Sequence, residues 1–299
     1  MFPAGEPGIR TRRVSLAGGV SLRVAESGES GAPPVLLLHG WGASLYMWRD
    51  WFAPLAAAGL RAIAVDLPGH GLSDKPDDPA SYRLESLVAV LRELLDVERL
   101  EAVVVVAQSM AGTVALELVL AGEPRIAKLA LVNPACFGRI RLQALGRLVS
   151  PPAVDLLLPR LVTRWVVARA HRLVYGDPAL ITERDEDEYW APSQFPSYAR
   201  AMRMLLHEFN WNRPPVDVMA ARLRGMRGRA LVVLGTRDRL VRDSRGYVAA
   251  LQATEAPLDV HEVRGGGHAV NEERPDEVIL RFLTYLKNDS TAMGQHRAM

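Results

Sequence analysis

VVVVAQSMAG, residues 103–112, carries a run of valines straight into a serine and on into a helical pattern. Apolar β-branched residues without polar alternation read as a strand buried on both faces, as in a parallel sheet covered by helices. A serine at the end of such a strand sits on a sharp turn, whose unfavourable backbone lifts the hydroxyl clear of the sheet. That turn needs small residues around the serine, and Ala107, Ala111 and Gly112 supply them. The helix starting at Met110 aims its free backbone donors and positive dipole end at the same point. Ser109 is therefore placed as a nucleophile.

Outward from this stretch the same pattern repeats. Val35 to Leu38, Ala62 to Val65, Ala102 to Val106 and Leu129 to Val132 read as buried strands. Leu45 to Ala58, Leu84 to Leu95 and Met110 to Ala121 read as amphipathic helices between them. Before them, Arg12 to Leu16 and Val20 to Ala25 alternate around Gly18-Gly19 and predict a hairpin. The rhythm returns with strands at Ala230 to Leu234 and Leu258 to Val263, and helices at Ser244 to Ala253 and Asp276 to Leu286. Alternating strands and helices specify an α/β fold with a mostly parallel sheet flanked by helices. Residues 135–212 break the rhythm, read as helical throughout, and are cut by prolines at 151, 152, 159, 178, 192 and 196. The expected organisation is a core of residues 1–134 and 213–299 with residues 135–212 inserted as a helical lid, and a loose tail from Asn288 to Met299.

Composition narrows the function classes. A chain of 299 residues with 49% hydrophobic content can bury a continuous core. The net charge of +2, from 36 basic and 34 acidic residues, is not that of a polyanion-binding protein, so nucleic acid is not an expected partner. Cys136 is the single cysteine, which excludes an internal disulfide and a cysteine zinc site. No apolar run of about 18 residues predicts a membrane span, and the first residues lack the apolar stretch of a secretory signal, which points to the cytoplasm. Residues 139–172 carry seven arginines against Asp155, whereas Glu183 to Glu188 is acidic apart from Arg184. Mutual pairing of these two segments is the expectation.

A serine nucleophile needs a base, and the base needs a carboxylate on its far nitrogen. LVVLGTRDRLV (231–241) sets Asp238 just past a buried strand, and HEVRGGGHAV (261–270) sets His268 in a glycine-rich loop after the next. All three side chains then meet at the carboxyl edge of one sheet. Asp243 is the rival acid, but it is expected to cap the helix starting at Ser244. LLLHGWGAS (36–44) ends another buried strand in a loop able to turn a backbone N–H towards Ser109. The expected oxyanion donors are the backbone N–H groups of Trp41 and Met110.

Taken in order, the HGWGAS loop, DLPGHGLSD (66–74), the turn at Ser109, GTRD and GGGH resemble the α/β-hydrolase superfamily, in the branch with a helical cap, from residue 12 to near Lys287. The chain departs from that family's commonest turn in having Ala107 and Ala111 where glycine is usual. The resemblance implies hydrolysis by a Ser109–His268–Asp238 triad, with His39 and His70 bracing loops. It also implies that dehalogenase and epoxide hydrolase chemistry, which in this family uses an aspartate nucleophile, is disfavoured by Ser109. The expected reaction is cleavage of a carboxylic ester, lactone or thioester of a small to medium, largely apolar substrate. The alternatives are a carbon-carbon bond hydrolase on the same triad, or a non-catalytic ligand-binding member. Trp165, Trp190, Phe195, Tyr198, Phe209, Trp211, Met202 and Met204 are placed either to line an acyl pocket or to form the lid's own core. No metal-ligand spacing, phosphate loop or dinucleotide fingerprint is present, so no cofactor is expected.

Overall fold

The computed structural model of the chain describes residues 1–140, 142–155 and 157–288; most of the expected tail thus lies outside the described residues. Its strands are β1 (Arg10–Ser15), β2 (Ser21–Ser27), β3 (Pro34–Leu38), β4 (Arg61–Val65), β5 (Val103–Gln108), β6 (Ile126–Val132), β7 (Arg139–Ile140), β8 (Ala230–Gly235), β9 (Val241–Arg242) and β10 (Leu258–Val263). Among the described residues eight of them form one sheet in the order β1-β2-β4-β3-β5-β6-β8-β10. β1 and β2 pair antiparallel, as do β2 and β4, and the other neighbours run parallel. This is the α/β-hydrolase arrangement that the motifs imply, with β5 at its centre.

The unbroken apolar runs have the cause the sequence suggests. Along β5, Val103, Val105 and Ala107 pack into one core layer while Val104 and Val106 pack into the other. On the first face lie α2 (Leu84–Val97), α3 (Ser109–Leu120), α9 (Val216–Arg224) and α10 (Ser244–Gln252), through Leu87, Leu91, Val114, Leu223 and Val248. On the second lie α1 (Phe52–Ala57) and α12 (Pro275–Asn288), where Trp51 meets Phe282 at 5.7 Å between ring centroids.

Three local readings are corrected. Leu45 to Ala58 is not one helix: a tight turn at Leu45–Trp48, capped by the Ser44 side chain, precedes α1. Pro54 lacks an amide hydrogen and is tolerated only in a helix's first turn, so the helix restarts just before it. Residues 135–212 are not wholly helical, because β7 pairs antiparallel with β9 beside the Asp238 loop. Asp243 does precede α10, but it has a left-handed φ of 61° and its side chain makes no capping hydrogen bond.

Between β6 and β8 the chain also forms α4 (Leu142–Val149), α5 (Leu158–Leu161), α6 (Arg164–Val174), α7 (Glu183–Trp190) and α8 (Pro196–Glu208); the short α11 (Val270–Glu273) follows β10. Arg164 pairs with Glu186 and Asp187, and Arg172 with Glu186, so the basic and acidic segments do join. Truncating Phe282 to alanine should cost about 3–5 kcal/mol of stability through the cavity it leaves under the sheet. The Leu280→Ala change, at a residue 68% exposed, should stay within about 0.5 kcal/mol; urea unfolding of both measures the contrast.

Candidate active site

β5 delivers Ser109 to the carboxyl edge of the sheet with a φ of 51°, a left-handed backbone that a residue with a side chain rarely adopts. The surroundings hold it there. A Cβ added at Gly40 would stand 2.2 Å from Gln108 Oε1 and 2.9 Å from Ser109 Cβ, so the loop after β3 can press on the turn only as glycine. On the other side Gly112 lies against Pro134, and Ala107 and Ala111 are fully buried.

His268 lies between the other two candidates. Its Nε2 is 2.8 Å from Ser109 Oγ and its Nδ1 is 2.7 Å from Asp238 Oδ2. Asp238 Oδ1 accepts from the backbone N–H groups of Leu240 (2.8 Å) and Val241 (2.9 Å). Its other oxygen is thereby turned to the imidazole. Exposed Asp243 takes no part in this chain of contacts. The backbone N–H groups of Trp41 and Met110 have no acceptor among the described residues. The Met110 group belongs to the first turn of α3, where helical geometry provides none.

Two amides that the motifs do not single out fix the backbone of the histidine. Asn133, fully buried, donates from Nδ2 to the carbonyls of Gly267 (2.9 Å) and His268 (3.0 Å), while its Oδ1 accepts from Gly235 N (2.9 Å). Gln108 Nε2 donates to the same His268 carbonyl at 3.1 Å. The His268 N–H in turn donates to the carbonyl of Val174, the last residue of α6, at 2.6 Å. Glu273 accepts from Gly267 N at 2.7 Å and from Gly176 N at 2.8 Å, joining the two loops a second time. A Cβ at Gly267 would lie 2.2 Å from Gly176 N, so glycine is required for this approach.

A buried charged group borders the same loop. Arg49 pairs with Glu272 at 2.5 Å and with Asp185 of α7 at 3.0 Å; Tyr46 donates to Asp185 and Tyr189 to Glu272. Burial works against the charge of Arg49, but Glu272, Tyr46 and Asp185 outweigh it and hold the guanidinium above its ordinary range. Farther back, His39 Nε2 accepts from Leu67 N at 3.0 Å and His70 Nδ1 donates to the Pro68 carbonyl at 3.1 Å, which braces the DLPGHGLSD loop. Asp66 holds that loop from inside, accepting from Leu45 N and Leu72 N. Among the described residues no group of three His, Cys, Asp or Glu side chains is placed to hold a metal. Nor is any helix long and apolar enough to cross a membrane. Of the candidate pocket residues, Trp165 and Phe195 are exposed, whereas Tyr198, Met202, Met204, Phe209 and Trp211 are buried. Trp211 meets Trp41 edge-on at 6.5 Å, and Trp41 Nε1 donates to the Met202 carbonyl.

With this geometry in place, the comparisons with known proteins identify the family. The sequence profile of the Alpha/beta hydrolase family matches residues 35–281, and the chain belongs to that family of enzymes. It is 30% identical to the dihydrolipoyllysine-residue acetyltransferase component of the acetoin cleaving system of Pseudomonas putida, over 90% of this chain and 68% of that protein. It is 26% identical to epoxide hydrolase A of Mycobacterium tuberculosis, over 94% and 99%. The fold is shared with 2-hydroxy-6-oxo-6-phenylhexa-2,4-dienoate hydrolase of Rhodococcus, at a TM-score of 0.74 and 21% identity over 93% and 99% of the two chains.

Two outcomes follow. Asn133→Asp removes both donors and sets a carboxylate against two carbonyls. It should lower stability by about 3 kcal/mol at pH 8 and by less at pH 5, where a protonated acid can donate again; an unchanged melting temperature at pH 8 would show that the amide holds nothing. Secondly, burial pushes the imidazoles of His39 and His70 below their ordinary 6.5, with Lys75 adding to the effect at His70. Below that value the unfolded chain binds protons that the folded chain refuses, so stability falls as pH drops from about 6.5. Burial pushes the Glu273 carboxyl above its ordinary 4.5, which acts in the opposite sense, nearer that value. Calorimetric scans between pH 7 and 5 should show the decline, and His70→Gln should flatten it.

Proposed function

We propose that the chain is a serine hydrolase that cleaves a carboxylic ester, or a close relative such as a lactone or thioester, through an acyl-enzyme. The observation that carries this reading is the continuous contact from Ser109 Oγ to His268 to Asp238, at 2.8 and 2.7 Å. In the first half-reaction Ser109 Oγ bonds to the carbonyl carbon and its proton passes to His268 Nε2. The free backbone N–H groups of Trp41 and Met110 take up the oxyanion. Collapse breaks the bond to the leaving oxygen, which receives the proton from His268. Water then repeats the attack, again giving its proton to His268, and the acid departs with Ser109 restored. Asp238 keeps Nδ1–H oriented and stabilises the imidazolium in both halves.

The relatives named as epoxide hydrolases pose a chemical question that the serine answers. Attack of a serine oxygen on an epoxide or haloalkane carbon would leave an ether, which has no carbonyl for water to attack, and the enzyme would stall after one event. A carboxylate nucleophile leaves an ester and can turn over. The reading for Ser109 is therefore acyl chemistry. An apolar substrate of modest size is supported by the edge-on indoles of Trp41 and Trp211 and by the buried hydroxyl of Ser109, 5% of whose residue surface is exposed.

Purified protein should react with a fluorophosphonate probe and hydrolyse short p-nitrophenyl esters. Ser109→Ala should abolish labelling, and Asp238→Asn should reduce kcat by roughly four orders of magnitude with the fold intact. Labelling without ester turnover would redirect the reading to carbon-carbon bond cleavage on the same residues. A folded protein that takes no label and turns over no ester would leave a ligand-binding member of the family.

A further inference from the structure

Large apolar side chains are exposed very unevenly on this protein. Among the described residues Leu148, Val149, Leu157, Leu161, Trp165 and Leu173 are each more than half exposed, and Leu280 alone is so elsewhere. Trp165, Arg169 and Leu173 recur every fourth residue of α6 and so share one face. The buried residues of α6, Ala168 and His171, look the other way, and His171 stacks on Tyr189 of α7 at 3.9 Å. The outward face therefore has no partner among the described residues, and exposed apolar patches of this kind mark a surface that something covers.

Charge says what covers it. Residues 157–174 contain four arginines and no aspartate or glutamate. Arg164 and Arg172 are engaged by acids of α7, but exposed Arg160 and Arg169 have no ion pair among the described residues. A two-fold contact with a second copy would oppose each patch with itself, bringing arginines together with no acid from this segment between them. An anionic lipid surface supplies what the patch lacks, acyl chains for the leucines and tryptophan and phosphates for the guanidinium groups.

We propose that the α5–α6 face docks on an anionic bilayer. Trp165, Leu161 and Leu173 enter the headgroup-acyl boundary, and Arg160 and Arg169 extend along the surface to lipid phosphates. The protein lies on the membrane without spanning it.

The test is co-sedimentation of the full chain with vesicles of phosphatidylcholine alone and of phosphatidylcholine mixed with phosphatidylglycerol, at low and high salt. Binding to the mixed vesicles, weakened by salt, is expected. The Arg160→Gln/Arg169→Gln double variant should bind them about 30-fold more weakly, the partition change for two basic charges removed at an anionic surface. Trp165→Ser should also weaken binding, and all variants should keep the wild-type melting temperature. Failure to bind, equal binding to phosphatidylcholine alone, or binding indifferent to these substitutions would each overturn the proposal. So would a dimer in light scattering that Trp165→Ser dissociates, which would assign the face to a second copy.

Discussion

The left-handed turn at Ser109 is the constraint on which the remainder of the molecule depends. Such a backbone costs of the order of 1–3 kcal/mol and persists only where its surroundings over-determine it. Here β5 is buried along its whole length, Gly40 presses from the β3 loop and Pro134 from the loop after β6. The central position of β5 in the sheet, the small residues about the serine and the apolar runs on either side are thus consequences of one requirement. A hydroxyl has to stand clear of the sheet at the start of α3, where unbonded N–H groups are already gathered.

The histidine is fixed by a different principle. Its ring is held by Asp238 and Ser109, but its backbone is held by Asn133, Gln108 and Val174, and that of the preceding Gly267 by Glu273. A loop with three successive glycines has little stiffness of its own, and these polar contacts replace the rigidity that side-chain packing would have given it. Val174 and Gly176 belong to the stretch between β6 and β8, so the end of α6 is hydrogen-bonded directly to the His268 loop and to Glu273.

The strands were readable because burial on both faces leaves an unmistakable apolar run, and the turn at Ser109 because strand, small residues and helix follow within ten positions. Asp238 and His268 were legible as residues placed just beyond strand ends. Asn133 and Glu273 were not, since Asn133 meets Gly267 and Glu273 meets Gly176 across long stretches of sequence, and the approach of the Gly176 loop requires glycine at 267. Asp243 misled for a backbone reason: its residue type suits a helix cap, but its left-handed φ gives no capping bond. The break between Trp48 and Phe52 was signalled by Pro54, outweighed by the apolar periodicity around it.

The buried group of Arg49, Asp185 and Glu272 ties α7 to the turn before α1 and to α11. Separating α7 from that turn would take the Asp185 carboxylate from the guanidinium while Arg49 kept Glu272, and breaking one side of a buried ion pair costs several kcal/mol. At the α4–α5 end the exposed residues include the aliphatic Leu148, Val149, Leu157 and Leu161, while Arg203 pairs there with Asp155 and Arg147 donates to the carbonyls of Leu206 and His207. Displacing α7 therefore carries an electrostatic cost that a single buried guanidinium sets.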